Sequence, residues 1–530
     1  MNSKRIAVSV AGISLSAFSA AAADKPNILF IFTDDHAINA ITAYSDFFKE
    51  AGFETPNIDR LANEGAILLN NTCCNSISGP SRAAVLTGKH SHANGFKDNS
   101  TRFNPRQFTF VRELQKNGYQ TALIGKWHLG DDLNPSEAGF DHWNVLINQG
   151  TYYNPEFRTP EGRRTDKGYS TDIITDLSIK QMEAALENDQ PFLMMCQYKA
   201  PHRDWQPAMR HLDLYEGVEW PLPETFFYDF DSAPRYMQET RMRIDGHMFP
   251  GWDMKLRATE IPRNYHNLYG RNMVNTEPLR LSAADRRKYY ESYKEENRFF
   301  KQANLTGRER AVWKYQRYIR DYLRVVKAVD ENVGRLLDWL DEKGIADETL
   351  IVYSSDQGFF LGEKGMFDKR WMYTPSLSMP FVARRPGVIP AGTKVTALTQ
   401  NIDFAPTFLE AAAVPVPAEA GVQGESFLPL LKGETPADWR KNIYYHFYES
   451  RAVEPEHWCP AQYGVFDGRY KLIRLYEQYA DAWELYDLQN DPNEMRNLWN
   501  EDGYDDLKAE MLRRLTEIKA FYGDPIETEE

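Results

Sequence analysis

The stretch Pro26-Asn27-Ile28-Leu29-Phe30-Ile31-Phe32-Thr33-Asp34-Asp35-His36 contains a short apolar run that ends in polar residues. An unbroken apolar run of this length predicts a strand buried on both faces, as in a parallel sheet. Similar runs recur at residues 121–124, 191–198 and 349–353. Helical patterns separate the runs, and the clearest has these apolar residues four and three positions apart: Tyr315, Ile319, Tyr322, Val326, Val329, Val333, Leu336 and Leu340. Strands that alternate with helices predict an α/β fold with a large, mostly parallel sheet flanked by helices.

The chain has 530 residues, enough for one large domain and a smaller one. Residues 1–23 have a basic start, an apolar stretch and small residues suited to cleavage, which is the pattern of a secretory signal peptide. We assign residues 24–435 to the larger, catalytic domain, in which residues 206–300 form a surface insertion with little regular periodicity. Residues 436–530 predict a C-terminal α+β domain, with a small antiparallel sheet and a final helix over residues 504–522.

The composition restricts where the protein works and what it binds. A formal net charge of −14 argues against a nucleic-acid-binding surface, so an anionic substrate would need a local basic pocket. Beyond the signal, no apolar run is long enough to span a membrane, and we expect a periplasmic or secreted protein. Four cysteines allow at most two disulfides, and the sequence does not give their pairing; they are Cys73, Cys74, Cys196 and Cys459. A thiol nucleophile at Cys73 or Cys74 is an alternative to the serine described below.

Polar residues follow each of the four apolar runs. Ligands of open parallel sheets bind beyond the carboxyl ends of the strands, so these residues are candidates for a shared site. They are Asp34, Asp35 and His36; Lys126 and His128; Lys199 and His202; and Asp356 and Gln357. The oxygen ligands Asp34, Asp35, Asp356 and Gln357 suit calcium, and magnesium less well, whereas zinc prefers other donors. The alternative is that these side chains cap helices or bond to loops.

A second polar cluster lies in Ser78-Gly79-Pro80-Ser81-Arg82-Ala83-Ala84-Val85-Leu86-Thr87-Gly88. Pro80 suits the first turn of a helix, so we expect Ser78 just outside the helix N-terminus, where backbone N–H groups face an anion. The alternative is an ordinary serine N-cap.

Together these residues resemble the formylglycine-dependent sulfatases. That family has Cys or Ser, any residue, Pro, Ser and Arg, with Thr-Gly a few positions later, and residues 78–88 match the serine form. The resemblance extends through residues 125–130, 200–202 and 355–358. Within the family the chain looks most like the N-acetylglucosamine-6-sulfatases, because of residues 356–363, 367–370, 444–449 and 483–487. It implies an alkaline-phosphatase-like fold and the removal of a sulfate ester from a carbohydrate, with N-acetylglucosamine 6-O-sulfate in a glycosaminoglycan or mucin-type glycan as substrate.

The resemblance also implies roles for individual residues. Ser78 is converted to formylglycine by a serine-type maturation enzyme; its hydrate takes the sulfuryl group through one hydroxyl and releases it through the other. One calcium ion is bound by Asp34, Asp35, residue 78, Asp356 and Gln357. Arg82, Lys126 and Lys369 stabilise the negative charge of the transition state. His128 is the base that acts in sulfate release, and His202, with Lys369, protonates the leaving sugar oxygen.

Sugar recognition is expected from Asp368 and Arg370, which flank Lys369, and from His446. One departure concerns this recognition: relatives commonly have His-Tyr-Gly-Val-Arg where this chain has Gln462-Tyr463-Gly464-Val465-Phe466. The rival interpretations are a sulfatase for another sugar position, a phosphatase or phosphodiesterase of the same superfamily, and a carbohydrate-binding relative without turnover.

Overall fold

The structure is a computed structural model that describes residues 25–262, 265, 273–449, 457–477 and 480–525. The predicted signal peptide at residues 1–23 lies outside these described residues. No helix among them combines the length and hydrophobicity that a membrane span requires.

The strands of the described residues are β1 (Asn27–Thr33), β2 (Ala66–Leu68), β3 (Asn71–Thr72), β4 (Gln120–Gly125), β5 (His142–Leu146), β6 (Glu156–Thr159), β7 (Gly162–Thr165), β8 (Phe192–Gln197), β9 (Thr349–Ser355), β10 (Phe360–Leu361), β11 (Phe367–Asp368), β12 (Phe381–Arg384), β13 (Thr393–Val395), β14 (Thr399–Gln400), β15 (Ile443–Phe447), β16 (Gln462–Phe466), β17 (Tyr470–Glu477) and β18 (Ala480–Asp487). Their α-helices are α1 (Pro56–Glu64), α2 (Ser78–Thr87), α3 (Ser91–Asn94), α4 (Phe110–Lys116), α5 (Ser170–Glu187), α6 (Arg235–Glu239), α7 (Ile244–His247), α8 (Ala283–Ala303), α9 (Gly307–Lys343), α10 (Thr374–Leu377), α11 (Phe404–Ala411), α12 (Leu428–Leu431) and α13 (Asp505–Tyr522).

The main sheet has ten strands in the order β13-β2-β12-β9-β1-β8-β4-β5-β6-β7. Its central strands β9, β1, β8, β4 and β5 are parallel. Antiparallel pairs flank them, with β12 beside β9 on one side and β6 beside β5 on the other. The four apolar runs in the sequence are β1, β4, β8 and β9, which lie next to one another. The predicted α/β fold with a mostly parallel sheet is therefore confirmed.

The register of these strands brings their carboxyl ends to one edge. Thr33 of β1 lies opposite Ser355 of β9. Gln197 of β8 lies opposite Phe32 on one side and Gly125 of β4 on the other. The polar residues that follow each strand therefore emerge side by side, as the sequence predicts.

Both faces of the sheet are covered by helices. Ile28, Phe30 and Phe32 of β1 belong to one buried cluster, whereas Leu29 and Ile31 belong to a second, as the alternation of strand side chains requires. The second cluster also contains the predicted apolar series of α9. A separate four-stranded antiparallel sheet, β15-β16-β17-β18, packs with α13, which confirms the predicted C-terminal sheet and final helix. The domain boundary at residues 435 and 436 stays a prediction.

Residues 206–300, predicted as a surface insertion with little regular periodicity, include most of helix α8, which has 21 residues. Its buried side chains Tyr289, Tyr293, Asn297 and Phe300 lie four, four and three positions apart, so they form one stripe. The charged residues between them obscure this period in the sequence.

The four cysteines are buried free thiols. Burial raises the pKa of the Cys73 thiol well above its usual value, and burial raises that of Cys74 beyond the range in which a thiolate forms readily. The alternative of a cysteine nucleophile therefore has no support.

Candidate active site

The centre of the site is Asp34, which follows β1 and is fully buried. Its Oδ1 accepts a hydrogen bond from Ser78 Oγ at 3.0 Å, and its Oδ2 forms an ion pair with the ammonium of Lys126. A second cation, the guanidinium of Arg82, lies 3.9 Å from Asp34 Oδ1. The structure thus brings the predicted nucleophile position and two predicted cations onto one carboxylate.

Helix α2 positions Ser78 and Arg82. Ser78 is the first residue of this helix and Ile77 its N-cap, one residue from the predicted arrangement. At Gly79 an added Cβ would lie 2.6 Å from Asn99 Oδ1 and 2.7 Å from the Phe96 ring, which explains why glycine follows Ser78. One turn later, Arg82 Nε donates to Asp356 Oδ2 at 3.1 Å.

Asp35 is the second acidic centre. Its Oδ2 accepts from Lys369 Nζ at 2.7 Å and lies 3.7 Å from His202 Nε2. Its backbone N–H donates to Asp356 Oδ1 at 3.1 Å, and the Gln357 amide donates to its Oδ1. The side chains that follow β1, β8 and β9 thus meet here, together with Lys369 after β11.

The charges of the site change one another's proton affinity. Burial raises the pKa of Asp35 to about 6 and that of Asp356 to about 7. Burial also opposes ionisation of Asp34, but the charges of Lys126, His202, Arg82 and Lys369 together outweigh it and hold the Asp34 pKa well below its usual value. Burial lowers the pKa of Lys126 to about 8. A group of carboxylates this costly to ionise is typical of a functional site.

Three observations fit a bound metal ion. The carboxylates Asp34, Asp35 and Asp356 lie together without exposure to solvent. Ligand atoms of Asp34, Asp35 and His202 lie within 4.8 Å of one another. Gln357 Oε1 is buried and has no hydrogen-bond partner among the described residues, so an acceptor oxygen remains available. The residues therefore form an acidic cluster that can hold a cation, and the donors Asp34, Asp35, Asp356 and Gln357 are all oxygen.

The two candidate histidines face the site in different ways. His202 Nδ1 lies 2.6 Å from the carbonyl oxygen of Arg203, so this nitrogen carries a proton and Nε2 faces Asp35. His128 follows β4 and contacts Gln149, whose Nε2 lies 3.0 Å from His128 Nε2. Burial lowers the pKa of both imidazoles well below their usual value. Both histidines are therefore neutral near pH 7 when nothing else binds.

Sequence reasoning missed Gln149 and Gln197. Gln149 Oε1 accepts from Lys126 Nζ at 2.6 Å, and Gln197 Oε1 accepts from Arg82 Nη1 at 2.5 Å. Gln149 follows β5, so the rule that located the other residues would have found it, whereas Gln197 ends β8 inside the predicted run 191–198. The run before Gln149 is short and contains His142 and Asn144, which hid the strand.

Asp368 and Arg370 lie beside the acidic cluster. Arg370 Nη1 donates to Asp368 Oδ1 at 2.7 Å, and His457 Nε2 lies 3.8 Å from Asp368 Oδ2. Burial opposes ionisation of Asp368, but the charges of Arg370 and Lys369 hold its pKa far below its usual value. Asp368 is therefore a permanent acceptor and Arg370 a permanent donor next to Lys369.

The C-terminal sheet supports the segment that carries Lys369. Tyr445 OH of β15 donates to the carbonyl oxygen of Arg370 at 2.6 Å. Gln462 Oε1 of β16 accepts from Met372 N at 2.9 Å, and Lys471 Nζ of β17 donates to the Met372 carbonyl at 3.0 Å. Gln462 and Phe466, the two departures from the relatives' pattern, are buried. Gln462 therefore acts on the backbone of this segment.

The structure gives no support for His446 as a sugar-binding residue. Its Nδ1 lies 2.6 Å from Asp524 Oδ2 and its Nε2 lies 2.9 Å from Tyr476 OH. The ring is stacked on Tyr448 with a centroid distance of 3.6 Å. Both ring nitrogens are thus engaged by protein groups, and the residue joins β15 to the end of α13.

Comparison with known proteins identifies the family. The family model "Sulfatase" matches residues 26–414, and a second, "N-sulphoglucosamine sulphohydrolase, C-terminal", matches residues 362–520. The chain belongs to the sulfatase family. It is a sulfuric ester hydrolase, and the predicted resemblance is confirmed.

A curated relative and a solved structure are particularly similar to this chain. An N-acetylglucosamine-6-O-sulfatase of Bacteroides thetaiotaomicron is 43% identical over 507 residues, which cover 94% of this chain and 87% of the relative. A solved structure of a protein in complex with its substrate D-glucosamine-2-N,6-O-disulfate is 42% identical with a TM-score of 0.87, and the match covers 95% of this chain and 100% of that chain. The predicted alkaline-phosphatase-like fold agrees with such neighbours.

The sulfatase fold also occurs with other chemistry. A phosphonate monoester hydrolase from Silicibacter pomeroyi has a TM-score of 0.67 at 20% identity, covering 93% of this chain and 95% of that chain. At this identity the likeness shows the fold alone. The fold alone therefore does not determine which ester is hydrolysed; the residues of the active site do.

Proposed function

We propose that this sulfatase hydrolyses the 6-O-sulfate of a glucosamine residue, with N-acetylglucosamine 6-sulfate as the simplest substrate. The relative that is 43% identical is an N-acetylglucosamine-6-O-sulfatase, and the similar solved complex holds a 6-O-sulfated glucosamine. The glycan would be a glycosaminoglycan or a mucin-type chain.

The observation that carries the proposal is the position of Ser78. Its hydroxyl lies 3.0 Å from Asp34 Oδ1, at the N-terminus of α2 and beside Lys126 and Arg82. A helix N-terminus with two cations is a site for an anion such as a sulfate ester. A serine hydroxyl alone is a weak nucleophile, so we propose that Ser78 is converted to formylglycine, whose hydrate has one hydroxyl to take the sulfuryl group and another to release it.

The cation of the acidic cluster is proposed to be calcium, with magnesium a weaker candidate. Asp34, Asp35, Asp356, Gln357 and residue 78 would hold it, because all offer oxygen. When bound, the ion supplies positive charge that polarises the reacting group and offsets the charges of the carboxylates.

Four side chains are proposed to act on the sulfate ester itself. Lys126 and Lys369 flank the two aspartates and would bind the equatorial oxygens, where negative charge develops. The negative charge of a bound sulfate ester would favour a protonated His202, whose Nε2–H would then be donated to the departing sugar oxygen with help from Lys369. His128 would accept a proton at the end of the cycle. Arg82 would hold Asp356 and Asp34 in place and keep the group at position 78 oriented.

The sugar ring is proposed to lie over Asp368 and Arg370. A carboxylate and a guanidinium next to each other accept from and donate to adjacent hydroxyl groups of one sugar. Lys369 between them places this pair next to the sulfate position. His446 is not included among the proposed sugar-binding residues, because Asp524 and Tyr476 engage both nitrogens of its ring.

The setting of the enzyme is also proposed. The signal-like residues 1–23 support export to the periplasm, and the serine at position 78 requires a serine-type maturation enzyme as a partner. The partner in catalysis is a sulfated carbohydrate, and the net charge of −14 leaves the local cations of the site to attract it.

The test is the release of inorganic sulfate from N-acetylglucosamine 6-sulfate, galactose 6-sulfate and a phosphate monoester. The protein is produced together with a serine-type maturation enzyme and assayed with calcium. Sulfate from the glucosamine substrate alone would support both the ester and its position. Good release of phosphate without sulfate from either sugar would refute the proposal.

The matched variant is Ser78→Ala, which removes one hydroxyl group. We expect at least about a 10³-fold loss of kcat, because the reacting group is gone, while the unfolding temperature changes little. Mass spectrometry of the tryptic peptide around position 78 in the wild type checks the conversion to formylglycine. Activity retained by Ser78→Ala would remove this residue from the mechanism.

A further inference from the structure

Gln149 lies between two residues of the active site. It follows β5, and nothing in the sequence pattern or the family resemblance assigns it a role. Its Oε1 is 2.6 Å from Lys126 Nζ, and its Nε2 is 3.0 Å from His128 Nε2. Lys126 also forms an ion pair with Asp34. One amide therefore links the ammonium beside the acidic cluster to the proposed base.

The polarity of these contacts is fixed by chemistry. A lysine ammonium has only donors, so the oxygen of the Gln149 amide must face it. The NH₂ group of the same amide then faces His128 and donates. His128 Nε2 must accept this bond, so it has a lone pair, and the ring proton of the neutral imidazole is on Nδ1. Nδ1 is buried and has no hydrogen-bond partner among the described residues. The contact with Gln149 at Nε2 is therefore what determines the tautomer of the His128 ring.

We infer that Gln149 is a positioning residue that holds His128 as the Nδ1–H tautomer, with the proton-accepting lone pair on Nε2, where the NH₂ of Gln149 meets it. The inference rests on the proposed function, in which His128 accepts a proton. The same amide keeps the ammonium of Lys126 and the His128 ring at a fixed separation.

This arrangement also opposes early protonation of His128. An imidazolium would direct an Nε2–H toward the NH₂ of Gln149, so two donors would face each other. The amide cannot turn over to relieve this conflict, because its NH₂ would then face the Lys126 ammonium. Gln149 therefore has to leave Nε2 when a proton arrives there, and until then it occupies the position of the incoming proton donor.

The direct test is the protonation pattern of the His128 ring. The wild-type protein, labelled with ¹⁵N-histidine and loaded with calcium, is examined by NMR, and His128→Asn identifies the resonances among the 11 histidines. We expect a protonated Nδ1 and an unprotonated Nε2 near pH 7. A protonated Nε2 with an unprotonated Nδ1 would overturn the inference, and this readout needs no variant at position 149.

Two substitutions of Gln149 by residues of similar size separate the effect of its hydrogen bonds from the effect of its shape. Gln149→Met keeps the length of the side chain but has no N–H donor, and we expect about a 10- to 100-fold loss of kcat with a smaller effect on KM. Gln149→Glu accepts from Lys126 and from a protonated Nε2, so we expect the ring proton to move to Nε2 and kcat to fall by about 100-fold or more. The control is Gln115→Met in α4, where the amide contacts Asp141 on the surface; its kcat should be that of the wild type.

The outcomes separate the two proposals. An active wild type whose kcat and ring protonation are unchanged in both Gln149 variants would refute the role of Gln149 and leave the sulfatase proposal intact. A wild type that has the expected tautomer but releases no sulfate from any substrate would refute the proposed function instead.

Discussion

Asp35 has a backbone φ of 67°, a left-handed conformation that is uncommon for residues other than glycine. Tyr322 of α9 holds this conformation: its hydroxyl donates to the Asp35 carbonyl at 2.7 Å and accepts from Ala37 N at 2.9 Å. The strained backbone aims the Asp35 side chain at Lys369. The cost of the conformation is about 1–3 kcal/mol, so it persists only while such contacts hold it.

Tyr322→Phe should therefore weaken cation binding as well as the fold. Loss of the hydroxyl leaves two buried backbone groups without their partner, at a cost of about 1–3 kcal/mol. We expect a lower unfolding temperature and a severalfold weaker affinity for calcium, measured by titrating metal-free protein and following the unfolding temperature.

The matched control for this experiment is Tyr318→Phe. Its hydroxyl is also buried, but it donates to the carbonyl of Phe360 at 2.8 Å instead of the Asp35 carbonyl. It should lower the unfolding temperature without changing the affinity for calcium. Equal calcium affinity in both variants would contradict a role for Tyr322 in shaping the site.

At the residue scale, the rule that polar residues follow parallel strands predicted much of the site. Asp34, Lys126 and Asp356 meet because their strands are neighbours with aligned ends. Lys369 came from the family resemblance, since no strand pattern points to it. His446 shows the limit of such reasoning: a histidine within an aromatic strand gives no sign of whether its ring nitrogens are free.

Helix α9 is the element that joins the sheet to the insertion. Asp321, fully buried within it, lies 3.1 Å from Lys255 Nζ and 3.2 Å from Arg324 Nη1. Tyr293 of α8 also donates to Asp321, at 3.0 Å. One carboxylate thus forms ion pairs with two buried cations and anchors α8 and residue 255 to the same helix.

Asp321→Asn should be strongly destabilising. The amide leaves buried Lys255 and Arg324 without a counter-charge, and breaking a buried ion pair in this way costs about 3–5 kcal/mol. We expect a lower midpoint of urea unfolding, followed by tryptophan fluorescence.

The surface pair between Arg335 of α9 and Asp176 of α5 provides the comparison. Arg335→Ala should change the free energy of unfolding by only about 0–1 kcal/mol, because exposed ion pairs contribute little. Similar effects of the two substitutions would show that the Asp321 cluster is not a structural centre.

At the element scale, periodicity predicted those segments whose pattern is continuous. The long apolar series of α9 has no interruptions, and β15 and β17 are rich in the aromatic and β-branched residues that favour strands. Helix α8 was missed because its stripe consists of Tyr289, Tyr293, Asn297 and Phe300, three of them with polar atoms, among many charged residues. Its burial depends on contacts with distant segments such as residue 255, which a local pattern cannot reveal.

For the molecule as a whole, several buried carboxyl groups link stability to pH. Burial raises the pKa of Asp356 and Glu277 to about 7 and that of Asp35 and Asp330 to about 6. A carboxyl whose folded pKa is raised stabilises the fold while it is protonated, and this contribution is lost as pH rises through the folded pKa. Because carboxyl groups of the unfolded chain titrate near pH 4, the metal-free protein should lose stability between about pH 4 and 7.

The proposed calcium ion should reverse this trend, because a cation bound at the acidic cluster favours the ionised carboxylates. We expect the difference in unfolding temperature between calcium and chelator to grow over the same range of pH. Glu277→Gln should reduce the slope measured in chelator and leave the calcium difference unchanged, since Glu277 bonds to Tyr152 N and Tyr153 N instead of the acidic cluster. A constant calcium difference at all pH values would contradict this account.

The support that β15–β17 give to the segment after Lys369 affects how such proteins can recombine. The two family models overlap at residues 362–414, and this overlap includes Lys369, Arg370 and Met372. A chimera that joined the large sheet of one relative to the C-terminal sheet of another would change the hydrogen bonds that Tyr445, Gln462 and Lys471 make to that segment. We therefore expect the large sheet and the C-terminal sheet to be inherited, and to be engineered, as one unit. Substrate preference should change only when both are exchanged together.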